Sequence, residues 1–325
     1  MNNKKVSVHI VTYNSGEDIL ECLDAVLAQD YPLEQIVVID NASGDGTAER
    51  VKNYIIQSGH SDPVKLLERI QLIQNSVNTG FAPAHNQAIS LTNTDYVLVL
   101  NPDLTLAPDY VSRLIEDMEA NPQIGSATGK LLLKADPGLV DSTGLRMNRA
   151  RRAFDRGAGE AAANWQESGP VFGVSGAAAM YSRRMIDDII IDGEFFDADF
   201  FAYKEDVDVA WRAQLLGWQG YYDTEALGYH ERGWKTSGRS GKSMFIRRIS
   251  YINRYKMMYK NEHSRTLLAT LLVSMPYEIA AHGYMLLKEP GLFKAWKSFF
   301  SQLPALKEKR KAVQSKVKDR ERSRY

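Results

Sequence analysis

The sequence predicts an α/β protein whose mainly parallel sheet is covered by helices on both faces. Two observations carry this. Short apolar runs rich in β-branched residues alternate with segments of helical spacing as far as Asn121. Each of the first four runs ends in a polar cluster, and in such sheets ligands bind beyond the carboxyl ends of the strands.

In order, Val6 to Val11 reads as the first strand. Ile19, Leu20, Leu23, Val26 and Leu27 recur at helical spacing. Ile36 to Ile39 is a second strand, followed by the dense turn signal Asp40 to Gly46. Thr47 caps a helix reaching about Ser58. Ile70 to Ile73 is a third strand and Ala84 to Leu91 a third helix. Tyr96 to Leu100 is a fourth strand, and a helix runs from Pro108 to Asn121. The polar clusters are Thr12-Tyr13-Asn14, Asp40-Asn41, Asn75 to Phe81, and Asn101-Pro102-Asp103. From Gly125 to about Gly176, Gly, Ala and Arg alternate and no element is assigned. Val207 to Leu216 reads as a helix opened by Lys204-Glu205-Asp206, and Ala226 to Tyr229 as strand-like.

Beyond Gly241 the chain reads as helical to its end, with a domain boundary expected at 235/236. Thr266 to Leu287 is apolar but interrupted by Pro276, Glu278 and His282. A membrane span needs roughly 20 mostly apolar residues, so an interfacial or packed helix fits better. Formal net charge is zero, which gives no reason to expect a nucleic-acid partner, and no RNA-binding module is recognisable. The balance is uneven. Lys307 to Arg324 holds nine basic residues against three acids, leaving the tail at +6 and residues 1–306 at −6. With Arg247, Arg248, the run Tyr251 to Lys260, Phe293, Trp296, Phe299 and Phe300, this suggests peripheral contact with an anionic membrane surface. The lone Cys22 shares a helical face with Ile19 and reads as core; it excludes an intramolecular disulfide and a cysteine metal cluster. Met1 to Lys5 is short and polar with no cleavage pattern, so a cytoplasmic location is expected.

Asp103, at the end of a buried strand, is placed to hold a divalent cation, which takes one or two carboxylates plus phosphate oxygens. The same residues also suit a helix-capping turn. Asp40 sits at a strand tip, where it could accept from a base or ribose, or simply shape its turn. The segment Asp40 to Gly46 is no EF-hand loop, because its twelfth position is Val51. Glu205, Asp206 and Asp208 suit the positive end of a helix. One of them facing a cleft would serve as general base, and Asp208 reads as structural. A lone His such as His230 is more often structural than a ligand. As a ligand it needs to be neutral and held by a neighbour. Neither a dinucleotide fingerprint nor a P-loop follows the first strand, where Thr12-Tyr13-Asn14-Ser15-Gly16 stands.

Taken as an ordered set, these loops resemble family 2 of the inverting glycosyltransferases, with the GT-A fold, closest to its bacterial rhamnosyltransferase-like branch. The carriers are Val11 to Asn14, Val38 to Gly46, Asn78 to Ala82 with Asn86, and Leu100 to Asp103 with Pro108. Gly176 to Ala178, Tyr203 to Asp208 with Arg212, and His230 complete them. The resemblance covers about residues 5–235. It implies that Thr12, Tyr13, Asn14 and Asp40 bind the nucleotide of a nucleotide-sugar donor. Asn78, Gly80, Phe81 and Asn86 would line the donor pocket. Asn101 and Asp103 match the family's Asp-x-Asp metal motif, with Asn in place of the first acid. Asp103 and His230 would then hold Mg²⁺ or Mn²⁺. Asp206 aligns with the catalytic base, and Gly176, Ala177 and Glu205 fall on the side of a glycan or lipid-linked acceptor.

Two rivals remain at this stage. A nucleotidyltransferase on a similar sheet usually carries a Gly-rich, basic loop after the first strand, which this chain lacks. A non-catalytic nucleotide-sugar-binding protein would have no need of the Glu205-Asp206 pair.

Overall fold

A computed structural model describes residues 4–58, 69–231 and 243–322. The first half follows the expected alternation: β1 (Val6–Thr12), α1 (Ile19–Leu27), β2 (Gln35–Asp40), α2 (Thr47–Ser58), β3 (Ile70–Gln74), α3 (Phe81–Ser90) and β4 (Tyr96–Leu100). Next come β5 (Leu104–Leu106) and α4 (Tyr110–Ala120). β4 is buried at every position, because helices cover both faces of the sheet. α1 seats Ile19, Cys22, Leu23 and Val26 on that core, with Cys22 buried as expected. α3 starts at Phe81, three residues before the expected Ala84. Gly80, at φ +95°, turns the chain there, and the Phe201 carbonyl accepts from Ala82 N at 3.0 Å.

The segment left without elements carries the sheet onward: β6 (Ile124–Leu133), β7 (Asp136–Ser142), β8 (Leu145–Met147), β9 (Ala153–Asp155) and β10 (Gly169–Val171). β6 shows no alternation to read, because all ten of its residues are buried, Ser126, Thr128 and Lys130 included. Its Gly129 is a packing requirement, since a Cβ there would lie 2.0 Å from the Ala226 carbonyl. β11 (Ala178–Ser182), α5 (Arg183–Ile189), α6 (Glu205–Leu215) and β12 (Gln219–His230) complete this half. β12 is far longer than the Ala226 to Tyr229 stretch read as strand. The sheet runs β10-β12-β6-β11-β4-β1-β2-β3, with β5 on β12 and β7 on β6. β3, β2, β1 and β4 are parallel, and β11 enters antiparallel beside β4.

The C-terminal region is helical as expected: α7 (Met244–Asn261), α8 (Ser264–Lys288) and α9 (Ala295–Arg322). The 235/236 boundary lies outside the described residues. Part of the basic and aromatic set of this region packs against the protein itself. Its basic residues were assigned to an external surface, but several meet the protein's own acidic body. Lys309 pairs with Asp197 and Asp199, and Arg320 with Asp188. Lys316 donates to the Asp188 carbonyl. Val313 and Val317, between these charges, pack against the Ile186–Ile189 face of α5, so the tail is bound as an ordinary amphipathic helix. Part of the aromatic set also turns inward: Tyr251, Tyr255, Trp296 and Phe299 pack on one another, while Phe300 is 64% exposed. Exposed apolar surface is also found along α8, where Leu268, Ile279 and Leu287 are 68%, 68% and 80% exposed. Among the described residues, no helix is long and apolar enough to cross a membrane.

Candidate active site

The polar loops gather at the carboxyl ends of β1, β2, β3 and β4, as parallel pairing requires. A cleft of about 800 Å³ opens there, lined by Phe81, Asn101, Asp103, Gly176, Ala177, Glu205, Asp206 and His230 among others. A second hollow, of about 450 Å³, shares Phe81, Asn101 and Asp103 and extends to Tyr13, Asn14, Asn41, Asn78 and Gly80. Gly176 sits between the two walls. A Cβ on it would lie 3.2 Å from Phe81 Cζ and 3.7 Å from Asp206 Cβ, so a side chain here would narrow the passage.

The second hollow is stitched together by short-range bonds between loops. Asn14 Oδ1 accepts from Gly44 N at 2.8 Å, and Asn14 N donates to Ser43 Oγ at 2.9 Å. Asn41 Nδ2 donates to the Gly80 carbonyl, while its Oδ1 accepts from Asn75 and Thr79. Asn78 Oδ1 accepts from Gly80 N at 2.9 Å. Gly80 admits no substitute, since a Cβ would approach Phe201 O to 2.5 Å. Tyr13 leaves its ring 54% exposed over the hollow, available for stacking.

Three of the expected lining residues lie elsewhere. Thr12 and Asp40 are buried under the hollow's floor, where Thr12 Oγ1 donates to Asp40 Oδ1 at 2.9 Å. Asp40 also accepts from Ser43 N and Oγ. Its carboxylate is therefore occupied in shaping the turn, the alternative that sequence left open. Asn86 does not line the pocket either. It grips the Phe196 backbone, donating to its carbonyl at 2.7 Å and accepting its N–H at 2.9 Å. It faces the chain leading to the catalytic loop because α3 packs on that side.

Asp103 and His230 are brought together by register. His230 pairs with Leu104 across β12 and β5, which sets its Nε2 3.2 Å from Asp103 Oδ1. On the other side His230 Nδ1 meets Asp141 Oδ2 at 2.7 Å. Burial works against a charged ring, but the two carboxylates outweigh it and lift the His230 pKa to about 9. Asp103 Oδ1 is buried without an aligned hydrogen bond. Nearby, burial and then the charges of Asp103 and Glu231 push the Asp18 carboxyl above its ordinary value. A carboxylate oxygen with no aligned donor, near Asp18 and Glu231, is chemistry that suits a divalent cation, although among the described residues no group of three or more His, Cys, Asp or Glu side chains is arranged to hold one. Asp103, with His230 deprotonated and oriented by Asp141, would hold it. Asp141 was missed because it lies in the segment the sequence left unassigned.

Across the cleft, α6 opens with Glu205 and Asp206. Asp206 is half-buried, its Oδ1 accepting from Val207 N at 2.7 Å and its Oδ2 from Gly176 N at 3.3 Å. Burial raises its pKa, against the opposing pull of Lys204 and these two N–H groups. Glu205 is deeper, and burial followed by the Asp206 charge drives it well above the usual range. Of the two, Glu205 is raised the further, and Asp206, held by two backbone N–H groups, stays nearer its ordinary value.

The loop before α6 is strained. Phe201, Tyr203 and Lys204 all take positive φ, at 61°, 68° and 76°. Asn253 of α7 holds it, donating to the carbonyls of Phe200, Ala202 and Tyr203 at 2.8, 3.0 and 2.9 Å. Asp208 is structural, as expected: it meets Arg212, Lys260 and Asn261 in full burial. Sequence gave no signal for Asn253, Lys260 or Asn261, which lie some fifty residues from what they hold.

A mostly parallel sheet of this order, with a polar cleft at its carboxyl edge and helices beyond it, has the GT-A fold of glycosyltransferases. The chain belongs to glycosyl transferase family 2, whose family model matches residues 7–190. It is 24% identical over 222 residues to the poly-beta-1,6-N-acetyl-D-glucosamine synthase of Staphylococcus epidermidis, covering 68% of this chain and 48% of that protein. The Staphylococcus aureus (strain COL) enzyme of the same name is 25% identical over 218 residues, covering 67% and 48%. The chain thus spans about half the length of the curated relatives it matches. In fold it resembles S. aureus TarS 1-349 (TM-score 0.57, 17% identity, covering 97% of this chain and 88% of that one). It also resembles a Pyrobaculum calidifontis mannosyltransferase solved with GDP-Man and Mn²⁺ (TM-score 0.54, 19% identity, covering 94% and 76%).

Proposed function

We propose that the chain transfers a sugar, with inversion, from a nucleoside-diphosphate sugar to a hydroxyl of a glycan or lipid-linked acceptor. The observation that carries this reading is the placement of Asp206 opposite Asn101, Asp103 and Phe81 across one cleft. The donor is dTDP-rhamnose or a UDP-sugar, seated with its base against Tyr13 and its diphosphate toward Asn101 and Asp103. Thr12 and Asp40 act from beneath by fixing the loop that meets the nucleotide. The acceptor enters along Gly176, Ala177 and Glu205.

In the proposed reaction Asp206 takes the proton of the acceptor hydroxyl as that oxygen attacks the anomeric carbon. The bond from that carbon to the diphosphate oxygen breaks on the opposite face, so configuration inverts. Bound Mg²⁺ or Mn²⁺ would neutralise the charge developing on the leaving nucleoside diphosphate. No second protein carboxylate is then needed as acid. Asn101 and Asp103 orient the diphosphate, and Phe81 and Gly176 confine the sugar. The relatives' names support a product in cell-surface polysaccharide. The exposed apolar face of α8 supports peripheral membrane contact on the cytoplasmic side, where a lipid-linked acceptor would be met.

The test is a thermal-shift panel of nucleotide sugars with and without Mn²⁺, followed by product analysis. A donor that raises the melting temperature only with Mn²⁺, and then yields nucleoside diphosphate, fits the proposal. Release of pyrophosphate instead would assign the chain to nucleotidyl transfer.

A further inference from the structure

A second cavity, of about 690 Å³, adjoins the catalytic cleft. Ala153, Phe154, Lys204, Ile246 and Ser250 line both spaces, so the two are continuous. Its walls are the tip of the β8–β9 hairpin, the first half of α7 and the middle of α8. Arg254 fixes the hairpin tip by donating to the carbonyls of Ala150 and Arg151.

The two spaces differ in charge. The cleft mixes Asp103, Asp155, Glu205 and Asp206 with Arg146, Lys204 and His230. Every charged residue lining the second cavity is a cation: Arg151, Arg152, Lys204, Arg247 and Arg254. Three of these are compensated from behind, Arg151 by Glu262, Arg247 by Glu289 and Arg254 by Glu278. Arg152 has no ion pair among the described residues. Its guanidinium lies over the rings of Phe154 and Tyr277, at 4.9 and 4.1 Å from their centroids. Stacking of this kind fixes the plane and leaves the N–H edge for an anion. The α8 wall brings Tyr277, Ala280, Ala281, Tyr284 and Met285 beside it, an apolar lining under a cationic rim.

Resting on the glycosyltransferase reading above, we propose that this cavity binds a phosphate-bearing part of the acceptor, with Arg152 as the principal contact. An acceptor held there presents its hydroxyl to Asp206 while its anionic group lies away from the acids of the cleft. The phosphate could come from a lipid diphosphate carrier or from a polyol-phosphate chain, since both offer the same oxygens to an arginine fork.

The experiment is calorimetric titration of the full chain with farnesyl diphosphate, farnesol and a short glycerol-phosphate oligomer. EDTA is present, so that no metal-bridged diphosphate forms in the cleft. Farnesyl diphosphate should bind at least about tenfold more tightly than farnesol, and Arg152→Glu should remove that advantage. Arg152→Lys should retain most of it. An oligomer that binds with the same Arg152 dependence identifies a polyol-phosphate source, and its failure to bind identifies a lipid carrier. Equal binding of farnesol and farnesyl diphosphate overturns the proposal, as does undiminished diphosphate binding by Arg152→Glu. Binding of UDP with Mn²⁺, measured in parallel, should be unchanged by the substitution and tests the donor reading separately. If Arg152→Glu loses UDP binding through misfolding, Arg152→Gln takes its place, and diphosphate binding undiminished in that variant overturns the proposal.

Discussion

The two walls of the cleft are built by different means. The nucleotide wall consists of loops that follow consecutive parallel strands. They hold one another through bonds such as Asn14 to Gly44 and Asn41 to Gly80. The wall carrying Asp206 is a strained loop, touched from α3 by the Ala82 N–H on the Phe201 carbonyl and braced mainly from elsewhere. Its geometry is imposed from the C-terminal helices, by Asn253 on three carbonyls and by Lys260 between Asp197 and Asp208. The first wall is a local product of topology. The second is a tertiary assembly, so the position of Asp206 depends on chain far from it.

The sharpest way to break that contrast is Lys260→Met. Lys260 is 1% exposed and bridges two buried carboxylates, so its loss leaves Asp197 to Lys309 alone and Asp208 to Arg212 and Asn261, with the link between them broken. We expect about 3–5 kcal/mol of destabilisation in denaturant unfolding. A loss below 1 kcal/mol would show that the C-terminal helices do not brace this wall. Next, Asp206→Asn should lower transfer by at least about a hundredfold while UDP binding with Mn²⁺ is retained. Normal turnover in this variant would remove the base assignment.

Asn253→Ala should cost about 1–3 kcal/mol, because three loop carbonyls lose a shared donor. Here kcat should fall more than donor affinity, since the nucleotide wall is untouched. Equal losses in both would erase the distinction between the walls. On the other side Thr12→Val should cost about 1 kcal/mol and weaken UDP binding with little change in kcat, by loosening Asp40 beneath the hollow.

Acid provides the mildest test. Burial pushes the Asp197 carboxyl up, but Lys260 and Lys309 outweigh it, and its pKa lies below the ordinary 3.8. A depressed folded-state pKa gives stability that is full above the unfolded value and declines as pH falls through it. Melting temperature should therefore fall as pH is lowered through about 4. The slope should be shallower in Lys260→Met, and an unchanged slope would mean that Asp197 is not held by this pair.

The parallel half of the fold was legible because its strands are short, β-branched and punctuated by Asn, Asp and Gly at their ends. Local pattern located the loops that carry Tyr13, Asn14, Asn78, Gly80, Phe81, Asn101 and Asp103 and placed Asp206 at the start of its helix, while the family resemblance singled those residues out. It also indicated that Asp208 was structural, since three acids at one helix start cannot all face a substrate. What it could not reveal was depth. Thr12, Asp40 and Asn86 occupy the right loops but point into packing, and burial is decided by what lies above a residue rather than by its neighbours in sequence. β6 was unreadable for a related reason: buried on both faces, it loses the period that marks a strand.

Sequence by itself determined the alternation of strands and helices, the polar loops at one sheet edge and the residue types available for chemistry. These are properties of a few consecutive residues, set by backbone propensity and hydrophobic period. Tertiary structure decided which of those residues reach the cleft, that Asp141 and Asn253 support it, and that Lys309 and Arg320 of the basic tail pair with acids of the protein's own body. Each of these depends on contacts between distant segments, whose energies exist only once the chain has brought them together.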